Sequence, residues 1–361
     1  MIRLEQRPTP AKAWAIAAPI AAVLLTMIAG GLMFAALGTP PFQVMKTIFY
    51  DPLFHPQFAS YSRPQLLVKA GPLILIAVGL SLGFRAGIWN IGAEGQYIIG
   101  AIFGAALGLA AFPSDHPLLF PAMVLAGALG GLLWAMIPAL LRVYCRTNEI
   151  LVSLLLVYVA EQLLARAAVG FLRNPDGGGF PGSRNLAQHP GTANPELFAA
   201  SGLHWGGVAA LIAVIFAHIL LTRHLLGFQI RVAGQSPRAA VFAGFAPARL
   251  VIFCLCFSGA LAGLAGLFEV TGPAGQISID FNSGYGFTAI IVAFLGRLSP
   301  IGILLAGLLM ALTYIGGELA QLTLGLPGAA IQAFQGMLLF FLLGLDVLTN
   351  FRFRLAKRRS V

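Results

Sequence analysis

Glu161, Gln162 and Arg166 stand inside one apolar run, Ile150–Phe171. An ionisable group at bilayer depth is costly, so by default it marks a polar pathway and its partner. Glu161 is the best single candidate for lining such a pathway, because the hydroxyls or ring N–H groups of a polar solute can donate to its carboxylate. A hydrogen bond tying two helices together is the competing reading. Glu161 and Arg166 are five apart, off the i,i+4 spacing of a helical ion pair, and Arg166, near the outer end of the run, can snorkel to the interface. Arg85, Trp89, Asn90, Glu94 and Gln96 form a second group, crowded between two apolar runs. Arg85 and Glu94 are expected to pair, Trp89 suits a membrane interface, and Gly87, Gly92 and Gly95 would let backbones approach closely. Two readings stand for this group: a tightly packed turn, or a cytoplasmic gate or half-helix facing the pathway. Glu269 and Glu318 fall at outer ends of runs and are expected to face water.

Other chemistry is missing from the sequence. None of the four lysines follows a Gly-rich loop, so there is no phosphate cradle of the Walker type. No HExxH, Cys-x-x-Cys or nucleophile elbow occurs. The six histidines are scattered, and His218, inside a run, suits a structural hydrogen bond. Catalytic residues are therefore none and metal ligands none. An ion-coupled transporter would want a charged relay at depth, and only Glu161 and Gln162 are near there. The odd cysteine count argues against a complete disulfide framework, and Cys145, Cys254 and Cys256 are expected to be small buried hydrophobes.

The elements that must hold these residues are membrane spans. Hydrophobic residues make up 58% of the chain and charged ones 9%, against about 25% charged in a soluble domain. A span needs about 20 apolar residues. Ten candidates occur: Trp14–Leu37, Leu66–Phe84, Tyr97–Phe112, Leu118–Leu141, Ile150–Phe171, Val208–Leu221, Leu250–Phe268, Gly286–Leu295, Ile301–Gly316 and Ala329–Leu345. The first is too long for a signal-peptide core and reads as a retained span. Gly286–Leu295 is short enough to be a half-helix.

With the N-terminus inside, 16 of the 22 Lys and Arg fall on inside segments and 5 on outside ones, Arg166 being uncounted. That bias places both termini in the cytoplasm. The expected fold is therefore all-α: a polytopic membrane protein of about ten transmembrane helices. Residues 1–13 form a cytoplasmic tail, 14–345 the transmembrane region with a cytoplasmic loop at 222–249, and 346–361 a basic cytoplasmic tail. The net charge of +10 then meets the anionic inner leaflet, not nucleic acid. Gly92–Gln96 and Gly272–Gln276 echo each other, as an inverted repeat would.

In the cytoplasmic loop Ser236 is a fair N-cap and Pro237 suits the first helical position. A short helix over Arg238–Ala243, stopping at Gly244, could seat in a cleft on a cytoplasmic partner or simply lie on the membrane surface.

This loop resembles the coupling helix of permease subunits of ABC importers, in the branched-chain amino acid and simple-sugar group. Gly83–Gln96 is similar to a signature of nucleoside and simple-sugar permeases, and Thr147–Ser153, Gly284–Ile290 and Leu295–Arg297 fit further stretches of the same permeases. The stretch Val157–Glu161 departs from the common pattern, with Val157 before Tyr158 where an Asn is usual. The resemblance covers roughly residues 66–345. It implies a permease subunit of an importer in a bacterial inner membrane, carrying nucleosides or related small polar solutes, with a pentose or other sugar as the alternative. It implies a coupling surface at Gly234, Ser236, Pro237, Arg238, Ala239, Ala240 and Gly244. The expected partners are a cytoplasmic ABC ATPase that holds the ATP and Mg, a second permease subunit, alike or different, and a substrate-binding lipoprotein outside. No cofactor is expected on this chain.

Overall fold

The computed structural model describes residues 2–6, 12–198 and 201–355. Its helices are α1 (Lys12–Ala36), α2 (Pro41–Phe49), α3 (Asp51–Phe54), α4 (Ala59–Arg85), α5 (Ala93–Ala110), α6 (Leu119–Cys145) and α7 (Glu149–Val169). They continue as α8 (Trp205–Arg223), α9 (Leu225–Gln235), α10 (Pro237–Phe242), α11 (Pro247–Thr271), α12 (Tyr285–Leu295), α13 (Pro300–Leu324) and α14 (Gly328–Asn350). Among the described residues nine helices are long and apolar enough to cross a membrane, and α12 is a shorter apolar one. The expected all-helical, polytopic fold is therefore observed, with one small addition. Strands β1 (Ile2–Gln6) and β2 (Phe351–Leu355) pair antiparallel, Ile2 opposite Leu355 and Gln6 opposite Phe351.

The chain divides into two compact units. In the unit of Ser60–Ala311, α5, α6 and α11 pack on one another. Gly127 and Gly131 of α6, and Gly259 and Gly263 of α11, are each four apart and so share a helix face. A Cβ on Gly263 would lie 2.3 Å from the Gly127 carbonyl oxygen, and one on Gly100 of α5 would lie 2.1 Å from Gly263 Cα. Lipid tails are as apolar as leucine, so spans associate by close packing, which small residues permit.

In the unit of Met1–Ala59 with Leu312–Val361, α1 packs on α14. Phe34 is fully buried, its ring 5.9 Å from that of Phe334. Helices α2 and α3 occupy a stretch that reads as loop in the sequence. Pro41 opens α2 at its first position, where no N–H is needed, and Val44 and Ile48 fill the same core. A Cβ on Gly316 would meet the Ile48 carbonyl oxygen at 2.0 Å.

Candidate functional site

Helix α12 has 11 residues, about 16 Å at 1.5 Å per residue, roughly half the hydrocarbon thickness. It is too short to cross the hydrocarbon as a helix by itself. The first N–H groups of a helix have no partner within it and carry partial positive charge. Glu94 answers them. Gly284 N–H donates to Glu94 Oε1 at 3.1 Å and Gly286 N–H to Oε2 at 2.5 Å. Glu94 is itself in the first turn of α5 and fully buried, so one carboxylate serves two helix starts. Gly284 has φ +73°, a left-handed conformation that favours glycine. Gly286 has no room for a side chain, since a Cβ there would lie 2.3 Å from the Glu94 amide nitrogen.

The stretch from Arg85 to α5 is held just as closely. Asn90 Nδ2 donates to Gln96 Oε1 (2.8 Å) and Ser258 Oγ (3.0 Å), and Gln96 Nε2 donates back to Asn90 Oδ1 at 3.0 Å. Asn90 and Gln96 are each 1% exposed. Ile91 N–H reaches Ser153 Oγ of α7, and a Cβ on Gly92 would strike the Ser153 carbonyl. The rings of Phe84 and Trp89 each stack on Phe294 and tilt against each other, with centroids 5.0–5.6 Å apart. At the far end of α12, Arg297 and Leu298 turn left-handed (φ 53° and 56°), which is uncommon for bulky residues. Arg85 Nε donates to the Leu298 carbonyl at 2.9 Å.

Glu161 joins this region through Asn282, whose Nδ2 donates to its carboxylate at 2.8 Å. Beside it Tyr97 stacks on Phe281 at 5.2 Å and meets Tyr285 edge-on at 6.0 Å, with the Lys69 ammonium 5.8 Å from the Tyr285 ring. Gln162 and Arg166 do not turn inward. With Tyr158 they are exposed at four-residue spacing along α7, one polar stripe on a helix face. Arg142 pairs with Glu149 where α6 hands over to α7.

A second surface lies in the loop between α8 and α11. Ser236 Oγ accepts from Ala239 N–H at 3.4 Å, Pro237 opens α10, and Gly244 closes it with φ +77°. The helix covers Pro237–Phe242, one residue earlier than Arg238–Ala243. Ala240 is fully buried, whereas Arg238 and Ala239 are exposed, Val241 is 59% exposed and Phe242 93%. On α9, Gly234 faces the end of α4 so closely that a Cβ would lie 1.9 Å from the Arg85 carbonyl oxygen.

Several expectations need correction. Arg85 and Glu94 do not pair: Arg85 donates to the Leu298 carbonyl beyond the end of α12, and Glu94 accepts from Gly284 and Gly286 N–H at its start. Glu269 is 7% exposed, not water-facing, while Glu318 is exposed. Cys145 is exposed at the end of α6; Cys254 and Cys256 are buried. Of the two echoing stretches, Ala93–Gln96 opens α5, and Gly272–Gln276 follows α11 with eight residues between it and α12. Gly284 stands in the Gly-Tyr-Gly before an apolar run, a signal the sequence carries, whereas nothing local marks Asn282 or Lys69 for this region.

Among the described residues no three His, Cys, Asp or Glu side chains gather to hold a metal ion. Polar groups inside the spans meet half-helix ends, and the surface outside them presents an apolar knob. That arrangement defines a membrane transport subunit. The family described as branched-chain amino acid transport system / permease component matches residues 63–343, and the chain belongs to it. A glucose ABC transporter permease of Haloferax volcanii is 33% identical over 98% of this chain and 94% of its own length. A nucleoside ABC transporter permease of Lactococcus lactis is 28% identical over 90% of this chain and 89% of its own. A guanosine ABC transporter permease of Bacillus subtilis is 26% identical over 90% and 91%. No solved structure matches the chain.

Proposed function

We propose that this chain forms the translocation pathway of an ABC importer for nucleosides, with both ends in the cytoplasm and its energy drawn from a partner ATPase. The observation that carries the coupling part is α10: a capped helix outside the spans whose Phe242 is 93% exposed. A side chain so placed suits a cleft on a cytoplasmic partner better than water. Ser236, Pro237 and Gly244 shape this helix, and Gly234 sets α9 against the Arg85 segment. ATP and Mg sit on the partner. A second permease subunit completes the pathway, and a binding lipoprotein delivers the cargo.

The polar stripe Tyr158, Gln162 and Arg166 supports a pathway along α7, because exposed Gln and Arg at these depths do not face lipid tails cheaply. Glu161 and Asn282 offer an acceptor and an amide to sugar hydroxyls or a base edge. Arg85, Trp89, Asn90, Glu94 and Gln96 hold the gate. The nucleoside assignment rests on the nucleoside and guanosine relatives and the Gly83–Gln96 signature. Hexose is the second reading, favoured by the glucose permease that aligns over nearly the whole chain. Competition for uptake of labelled uridine by unlabelled nucleosides and glucose separates the two. Phe242→Asp should lose the ATPase on co-purification while the permease remains in the membrane. Retained ATPase and full uptake in that variant would refute the docking role.

A further inference from the structure

Helix α12 is gripped at both ends by one short piece of chain. Arg85 meets the Leu298 carbonyl, three residues past the last helical residue, and Glu94 meets the N–H groups at its start. A cation at the carbonyl end and an anion at the N–H end are the signs that complement the helix dipole. Between them Trp89 stacks on Phe294, and Gly286 leaves no gap against the Glu94 backbone. The Leu298 carbonyl that Arg85 holds belongs to a left-handed leucine, a strained conformation that persists only where the surroundings impose it. The clamp is also within reach of the cytoplasmic loop, since Gly234 of α9 touches the Arg85 carbonyl.

From these contacts we propose that the Arg85–Glu94 segment and α12 form one clamped gate body, moved as a unit through the Gly234 contact, with Arg85 and Glu94 as its positioning residues. The moving force rests on the reading of α10 as the ATPase dock. The clamp itself needs only the geometry above. Its consequence is that closing and opening of the pathway does not slide α12 past Trp89. The relative motion falls elsewhere, between this body and its neighbours.

The test is a short bis-thiosulfonate bridge between Trp89→Cys and Phe294→Cys, in a background with Cys145→Ser, in the full importer complex in proteoliposomes. Uptake is compared before and after bridging, so that losses from the substitutions cancel. A single body keeps at least half of its uptake when bridged. A fall to background would overturn the proposal. The second arm is Glu94→Gln, which removes the charge and offers an amide N–H where two acceptors are needed. Uptake should fall at least tenfold while ATP hydrolysis by the assembled complex stays within twofold, and Glu94→Asp should recover part of the uptake. This arm decides if the double variant is inactive before bridging. Unchanged uptake in Glu94→Gln, or uptake and hydrolysis falling together, would sink the clamp. Retained ATPase and full uptake in Phe242→Asp would instead sink the docking reading, while the bridging result, measured in a chain with native α10, would stand.

Discussion

Gly234→Ala adds one methyl group, and the structure says where it must go. The new Cβ would lie 1.9 Å from the Arg85 carbonyl oxygen, 2.9 Å from its carbonyl carbon and 3.2 Å from that of Ala86. A close carbon–oxygen contact is about 3.3 Å, so α9 or the end of α4 must retreat by about 1.4 Å. The obstacle is backbone, so no side chain can rotate out of the way. Alanine is the better helix former by about 1 kcal/mol, while overpacking costs about 1–3 kcal/mol. The net effect on stability is therefore zero to about 2 kcal/mol of loss. The displacement matters more, because it falls at a backbone contact that links α9 to the Arg85 segment. Uptake should drop at least tenfold in a complex that still retains its ATPase. Gly336→Ala is the control, since it sits in α14 with open space around it and should transport normally. The readouts are uptake in proteoliposomes and thermal unfolding of the detergent-solubilised complex. Normal uptake in Gly234→Ala would refute the joint.

Other outcomes follow from the same geometry. Gly263→Val forces side-chain atoms into the Gly127 and Gly131 backbones and should abolish the folded permease, seen as loss of a monodisperse peak on size exclusion. Phe34→Ala should cost about 3–5 kcal/mol by emptying the Phe334 contact, measured as a lowered unfolding midpoint. Asn282→Asp sets a second carboxylate beside Glu161 in place of a 2.8 Å hydrogen bond. Uptake should fall and be partly restored by Glu161→Gln in the same chain. Cys145 is the one exposed thiol among the three cysteines. An impermeant maleimide should label it in inside-out vesicles and not in right-side-out ones, and the opposite result would invert the proposed orientation.

Hydropathy marks the spans because lipid asks one thing of every residue that faces it, and nine helices among the described residues answer at full length. It found the α10 turn because Ser236, Pro237 and Gly244 each act on the backbone locally. It failed at Arg85 and Glu94 because opposite charges nine apart invite pairing, and nothing near them in sequence announces the bare helix ends 190 residues on. Glu269 was misplaced for a related reason: where α11 meets its neighbours, burial depends on chain far away in sequence. The α2 and α3 helices escaped because they are short and rest on tertiary contacts at Val44 and Ile48, not on a span-length pattern.

The contact between Phe34 and Phe334 joins residues about 300 positions apart. A ribosome moving at about 5–20 residues per second needs about 15–60 s to deliver the second after the first. Helix α1 therefore enters the membrane without the partner it will keep. Its sparsely covered faces, with Ile20, Leu24, Ile28 and Leu32 all exposed, are what let it wait there among lipids.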